Sequence, residues 1–162
     1  MKRVGIVMGS DSDLPVIQKA VRLLDELEIP YEVHVFSAHR TPDEARHFSQ
    51  GARQNGFGVL IAAAGMAAHL AGAVAANTTI PVIGIPCKGP VLDGLDALLS
   101  TVQMPSGIPV ATVGVNNGAN AALLAAEILA VEDAALAARL QRKREADTAA
   151  VLQKDAGIAE RL

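Results

Sequence analysis

Three short segments carry most of the side chains capable of chemistry. The first is Gly9-Ser10-Asp11-Ser12-Asp13, a polar run that leads straight into an amphipathic stretch. Backbone N–H groups at a helix start can hold a phosphate, and two serine hydroxyls would add donors. A carboxylate such as Asp13 can instead accept hydrogen bonds from ribose hydroxyls. The same pentapeptide also reads as an ordinary polar loop closed by an N-cap. The second segment, Ser37-Ala38-His39-Arg40-Thr41-Pro42, sets a histidine beside an arginine just before a helix start. Arginine offers a planar fork to phosphate or carboxylate, and histidine is the side chain best poised to move protons near neutral pH. A surface loop with two solvated side chains has the same sequence. The third segment is Ala63-Ala64-Gly65-Met66-Ala67-Ala68-His69-Leu70. Its small residues leave room for a ligand against the backbone, and His69 opens the following helix. A lone histidine in an apolar helix reads first as a satisfied core residue. His34 in a strand and His47 on a helix show no metal-ligand spacing with Cys87 or a carboxylate cluster, so no metal site is expected.

The elements that would position these segments are legible from apolar spacing. Five apolar runs, Val4 to Met8, Tyr31 to Phe36, Val59 to Ala63, Val82 to Ile85 and Pro109 to Val115, alternate with helical stretches. The first, third and fourth are nearly unbroken Val, Ile, Leu and Ala, as parallel strands covered on both faces require. Asp13 is placed to cap a helix whose stripe includes Val16, Ile17, Ala20, Val21, Leu24 and Leu27, with Pro30 following. Thr41-Pro42-Asp43-Glu44 reads as a capping box with proline at the first helical position. Alternation of this kind predicts an α/β protein: a flavodoxin-like three-layer sandwich with a five-stranded parallel sheet and a long C-terminal helix. Ligands of such sheets sit at the carboxyl ends of the strands, near the switch in strand order. All three chemically able segments follow strands.

Composition narrows the function classes. The chain has 162 residues, 51% apolar and 19% charged, with no Trp, one Tyr and three Phe. That length and balance fit one domain over residues 1–162, read as an α/β core over 1–131 and a helical extension over 132–162. The net charge of −3 and the lack of aromatic platforms argue against a nucleic-acid partner. A single cysteine, Cys87, excludes an internal disulfide and fits a reducing compartment. The basic start Met1-Lys2-Arg3 precedes an apolar run that ends at Gly9, too short for a signal-peptide core. The stretch between Arg53 and Lys88 holds no charged residue, but Gly65, His69, Asn77 and Pro81 interrupt it, so a buried strand–helix–strand unit is expected rather than a membrane span. No membrane partner and a cytoplasmic location are therefore expected. Met66 to Ala76 and Ala119 to Val131 read as helices without a polar face. So small a domain would struggle to bury both, which predicts a homo-oligomer. From Asp133 to about Lys154, apolar Leu136, Leu140 and Val151 stand among mixed charges and predict a long amphipathic helix.

Taken together, GSDSD (Gly9 to Asp13), SAHRTPD (Ser37 to Asp43) and AAHL (Ala67 to Leu70) resemble the bacterial N5-carboxyaminoimidazole ribonucleotide mutases, the class I PurE family. The likeness continues through PVIGIP (Pro81 to Pro86), GLDALLSTVQMPSGIPVATV (Gly94 to Val113) and NAALLAAEIL (Asn120 to Leu129). The resemblance implies a flavodoxin-like subunit assembled as a homo-octamer. It implies conversion of N5-carboxyaminoimidazole ribonucleotide to 4-carboxy-5-aminoimidazole ribonucleotide in purine (IMP) biosynthesis, without metal or organic cofactor. By motif, His39 is the proton-transfer residue. Ser10 and Asp13 contact the phosphoribosyl group, with Gly9, Asp11 and Ser12 beside them, and Arg40, with Ser37 and Ala38, takes the phosphate end. Ala64, Gly65, Met66, Ala67, His69 and Leu70 line the pocket around the imidazole and the migrating carbon dioxide. Many family members read GGAAHLPG where this chain has Gly65-Met66-Ala67-Ala68-His69-Leu70-Ala71-Gly72, so Met66 and Ala71 are departures. Related animal-type enzymes, which carboxylate aminoimidazole ribonucleotide directly, commonly carry lysine after the histidine and lack AAHL; Arg40 and His69 favour the mutase. A non-enzymatic nucleotide-binding module on the same fold is the remaining alternative. A phospho-receiver would need an aspartate where Ala62 and Ala63 stand, and a flavin carrier would need aromatic stacking partners.

Overall fold

Continuous apolar strands can bury both faces only in the middle of a sheet, and that is where the chain puts them. In the computed structural model, which describes residues 1–159, the strands are β1 (Arg3–Met8), β2 (Tyr31–Val35), β3 (Phe57–Gly65), β4 (Val82–Cys87) and β5 (Ala111–Thr112). They form one parallel sheet in the order β2-β1-β3-β4-β5, the flavodoxin-like arrangement. The helices are α1 (Leu14–Glu26), α2 (Pro42–Gly51), α3 (Leu70–Ala75), α4 (Leu95–Val102), α5 (Gly118–Ala130) and α6 (Ala134–Ala156). The final residues of the expected C-terminal extension, 160–162, lie outside the described residues.

Strand alternation divides the core in two. Val4, Ile6 and Met8 of β1 and Val59, Ile61 and Ala63 of β3 face the layer of α1 and α5, whereas Val7, Leu60 and Ala62 face α2 and α3. The alanines of α5 let it lie close to α1. A Cβ on Gly118 would collide with the Val16 carbonyl, so the first residue of α5 has to be glycine for the helices to touch.

Several expectations need correction in detail. The strand read over Pro109 to Val115 pairs only at Ala111–Thr112, with one further bond from Val113 N–H to the Gly84 carbonyl at 3.1 Å. Pro109 has no N–H to contribute, and the chain turns away at Gly114–Asn117 (3.0 Å). The helix expected from Met66 begins only at Leu70, because Met66 sits in the left-handed region at φ +54° and cannot continue a right-handed helix. Helices start at Leu14 and Pro42 as the sequence suggests, but neither Asp13 nor Thr41 caps its helix through its side chain. The Thr41 hydroxyl turns back, accepting from Ser37 N–H at 2.8 Å, and Asp13 is engaged elsewhere.

The premise for oligomerisation changes as well. Leu70, Ala71, Val74 and Ala75 of α3, and Ala121, Ala122, Ala125 and Ala126 of α5, are buried by this chain alone. Exposed apolar surface lies instead on α4 and the loop before it: Val91, Leu92, Leu95, Leu99 and Val102. The long α6 docks at its start, where Leu136 is buried and Arg139 donates to the Leu27 carbonyl at 2.9 Å; Val151 and Leu152 near its end are exposed. Among the described residues, no helix is long and apolar enough to cross a membrane.

Because an added methyl at Gly118 has nowhere to go, Gly118→Ala is expected to lower unfolding free energy by about 1–3 kcal/mol in a denaturant titration. Gly157→Ala, at φ −92° and with no close neighbour, should stay within about 0.5 kcal/mol. Equal stability of the two variants would contradict the observed seating of α5 on α1.

Candidate active site

The chain leaves β1 for β2 on one side and later passes to β3 on the other, so the loops after these strands flank a crevice. A cleft of about 440 Å³ opens there, lined by Gly9, Ser10, Ser12, Asp13, Ser37, Ala38, His39, Arg40, Ala64, Gly65, Met66, Ala67, His69 and Leu70 of the three segments, together with Lys88, Gly89 and Pro90. Of the residues expected in one site, only Asp11 stands apart. It accepts the Ser10 hydroxyl at 3.2 Å and faces a neighbouring shallow depression beside Val35 and Thr41.

The first loop is a single 3₁₀ turn over Asp11–Asp13. Ser10 Oγ accepts from the Ser12 N–H at 3.3 Å and from the Ser12 hydroxyl at 3.0 Å, so two hydroxyls and a helical turn converge at one edge of the cleft. Asp13 is half-buried, and that burial pushes its carboxyl pKa up, against hydrogen bonds from the Cys87 thiol and the Ser10 backbone N–H that pull it down. Cys87 is 2% exposed, and its own pKa is pushed up to about 12 by burial and by the neighbouring Asp13 charge. The thiol proton can reach both the Ile85 carbonyl, at 3.7 Å, and the Asp13 carboxylate. The charged acceptor is the stronger of the two.

The second loop is held by Ser37, whose hydroxyl accepts from His39 N–H at 3.3 Å and Arg40 N–H at 3.2 Å. Arg40 Nη2 donates to the Gly9 carbonyl at 2.7 Å, which ties this loop to the first and sets the guanidinium beside the two serines. The third loop crosses opposite. Gly65 lies so close to β4 that a Cβ would stand 3.3 Å from the Cys87 carbonyl, and Met66 at φ +54° swings the following residues toward the opening. His69 is exposed, which overturns its reading as a core histidine. Its ring stacks against that of His39, centroids 6.0 Å apart and planes inclined by 17°. Two imidazole rings therefore face one space, bounded by a cationic, hydroxyl-rich edge and by small apolar walls.

Lys88, Gly89 and Pro90 escape a reading built on histidine and serine motifs. They come directly after β4, and the same rule that favours loops at strand carboxyl ends points to them. Among the described residues, no group of three or more His, Cys, Asp or Glu side chains could hold a metal ion.

A doubly wound sheet with two stacked histidines, two serine hydroxyls and an arginine around a cleft at its switch point defines a class: α/β proteins with a cleft at the carboxyl ends of the strands. The chain belongs to the AIR carboxylase family, whose model matches residues 3–150. It is 54% identical over 145 residues to the N5-carboxyaminoimidazole ribonucleotide mutase of Pyrococcus abyssi, covering 90% of this chain and 83% of that protein. With the mutase of Haemophilus influenzae identity is 53% over 152 residues, covering 93% of each chain. The crystal structure of Treponema denticola PurE superposes with a TM-score of 0.81 at 29% identity, covering 94% of this chain and 96% of that one.

Two measurements test the electrostatics. Cys87 is buried and its thiol pKa is pushed well above neutrality, so iodoacetamide should leave the native thiol unlabelled at pH 8 and modify it only after denaturation, as read by intact mass. A raised folded-state carboxyl pKa favours the folded form below the unfolded pKa, and that advantage is lost as pH rises through the folded value. Asp13→Asn should therefore raise the thermal midpoint of the free chain at pH 8, with the gain shrinking toward pH 4. A gain that grows on acidification would reverse the assigned sign.

Proposed function

We infer that this chain isomerises N5-carboxyaminoimidazole ribonucleotide to 4-carboxy-5-aminoimidazole ribonucleotide in purine biosynthesis. The observation that carries the reading is the facing His39–His69 pair, set beside an anion-ready edge in a chain more than half identical to mutases of that name. The alternative of direct carboxylation of aminoimidazole ribonucleotide shares the fold and most of the cleft.

The chemistry asks for an acid and then a base. A carbamate releases carbon dioxide when its nitrogen is protonated, and His39 donates that proton. The electron-rich ring carbon C4 then attacks the trapped carbon dioxide, and the neutral imidazole of His39 removes the proton from C4. One proton leaves the histidine and one returns, no electrons are exchanged, and the products are isomers of the reactants. As written, the scheme calls for no cofactor. Ser10, Ser12 and Arg40 hold the phosphate, Asp13 accepts from the ribose hydroxyls, and Gly65 with Ala64 and Ala67 bounds the space in which carbon dioxide waits beside the ring. His69 closes that space against the ring of His39.

The same reading takes the subunit into a homo-octamer in the cytoplasm. Exposed Val91, Leu92, Leu95, Leu99 and Val102 form an apolar surface next to the cleft, which a second copy of the chain would cover.

Turnover of freshly prepared N5-carboxyaminoimidazole ribonucleotide, beside aminoimidazole ribonucleotide with bicarbonate, tests the reaction: the carbamate alone is expected to convert rapidly. Conversion of only the second mixture would make the enzyme a direct carboxylase. His39→Asn should bind the product within about threefold of the native chain while kcat falls about 10²–10⁴-fold. Unchanged kcat would remove His39 from the proton path.

A further inference from the structure

The cleft has a fixed positive charge at each end, and only one of them has a task so far. Arg40 belongs to the β1–β2 side, where its hydrogen bond to the Gly9 carbonyl keeps it beside Ser10 and Ser12. Lys88 enters from the opposite side, directly after β4. Two strand spacings separate β4 from β1, and three separate it from β2, which puts Lys88 about 10–14 Å from the serine edge. That separation is comparable to the extent of a 5′-ribonucleotide from its phosphate to the far edge of a five-membered base. Arg40 and Lys88 therefore stand at the two ends of such a ligand.

The backbone of Lys88 is held independently of its side chain. Asn116 Oδ1 accepts from the Lys88 N–H at 2.9 Å, and the Asn116 N–H donates to the Pro86 carbonyl, also at 2.9 Å. Asn116 adopts φ +56° to make this two-point clamp, a left-handed conformation that asparagine tolerates better than most non-glycine residues. The Lys88 side chain is then not needed to hold the loop. Its ammonium pairs with Asp93 Oδ1 at 3.0 Å, with the two side chains 57% and 80% exposed. A pair so open to water contributes little to stability. Such a pair costs little to break, so the ammonium of a cleft-lining lysine is available to another carboxylate.

We propose that Lys88 is a specificity residue that binds the carboxylate of the nucleotide, the group that distinguishes both carboxylated nucleotides from aminoimidazole ribonucleotide. The proposal rests on the mutase reading for the nature of the ligand. With phosphate taken by the serine edge and Arg40, the base end lies against Gly65, Met66 and His69. Lys88 lines that same end, where Gly89 packs close to Met66. The two histidines there are needed for protons, and Asp13 is an acceptor. Among the described lining residues, Lys88 is thus the permanent cation facing the carboxyl group.

Calorimetric titration of 4-carboxy-5-aminoimidazole ribonucleotide and of aminoimidazole ribonucleotide into the native chain, Lys88→Met and Lys88→Arg tests this. Lys88→Met is expected to weaken the carboxylated nucleotide about tenfold while leaving aminoimidazole ribonucleotide within twofold, and Lys88→Arg to restore most of the loss. In turnover, the methionine variant should raise KM more than it lowers kcat. Its thermal midpoint should match the native chain's, since the side chain lies in solvent. Equal weakening of both nucleotides would assign Lys88 to the phosphate and overturn the proposal, as would no weakening of either. A native chain that binds both nucleotides but does not isomerise the carbamate refutes the mutase reading, while the affinity comparison still decides Lys88. Failure of the native chain to bind either nucleotide overturns both.

Discussion

The pairing of β1 with β2 on one side and β3 on the other is the constraint from which the cleft follows. In a parallel sheet every strand ends at the same edge, so the loop after each strand emerges on one side of the molecule. The Gly9 N–H bonded to the Ala63 carbonyl at 3.0 Å and the Phe36 N–H bonded to the Met8 carbonyl at 3.0 Å carry that ladder up to the loops themselves. The departure of β2 and β3 to opposite sides of β1 leaves the gap between their loops unfilled by any crossover helix. Segments nearly thirty residues apart in sequence therefore close around one space without any residue being specially bent to reach it.

Around that gap the protein retains features that work against its own stability. Asp13 keeps a carboxylate half-buried although burial raises its pKa, and its partner Cys87 offers only a weak donor. Met66 and Asn116 hold left-handed backbone that glycine would adopt more cheaply. Met66 opens the third loop instead of continuing into α3, and Asn116 clamps the end of β4. Such strain persists only where the surroundings over-determine it. Here the surroundings are the β3–β4 ladder, in which Gly65 lies against Cys87, and the hydrogen bonds of Asn116 to both sides of that cysteine.

The small-residue composition serves packing before it serves chemistry. Alanine and glycine let α5 contact α1 at backbone distance and allow α3 to be buried although it has no polar face. The chain thus covers for itself the helices whose composition suggests a need for partners. A run of apolar side chains left in water lies on α4 and its preceding loop, which follows directly on the cleft residues Lys88 to Pro90, while others such as Val131, Val151 and Leu152 are scattered elsewhere. Away from the cleft, His34, Phe36, Phe48 and Phe57 form a contiguous aromatic cluster, and Arg3 lies over the Phe57 ring at 4.4 Å.

Much was legible in the order of residues alone. The unbroken apolar runs of β1, β3 and β4 can be satisfied only as interior parallel strands, and the alternation with helices leaves few arrangements open. Because the strands' ends are visible, so are the loops that carry Ser10, Asp13, His39, Arg40, Gly65 and His69. Less local facts were not available. The stacking of His39 against His69, the hydrogen bond of Arg40 to Gly9 and the pairing of Asp13 with Cys87 join segments whose separation in sequence says nothing of distance. The shortness of β5 and the late start of α3 depend on neighbours that accept or refuse hydrogen bonds, which periodicity does not record. Lys88 was invisible for a related reason, since a lysine after a strand is unremarkable until three other loops are found around it. Local pattern determined which elements exist and where their chemistry is carried, because side-chain periodicity is a property of one segment. Tertiary structure decided which groups meet and which charges are buried, because contact and desolvation belong to several segments at once.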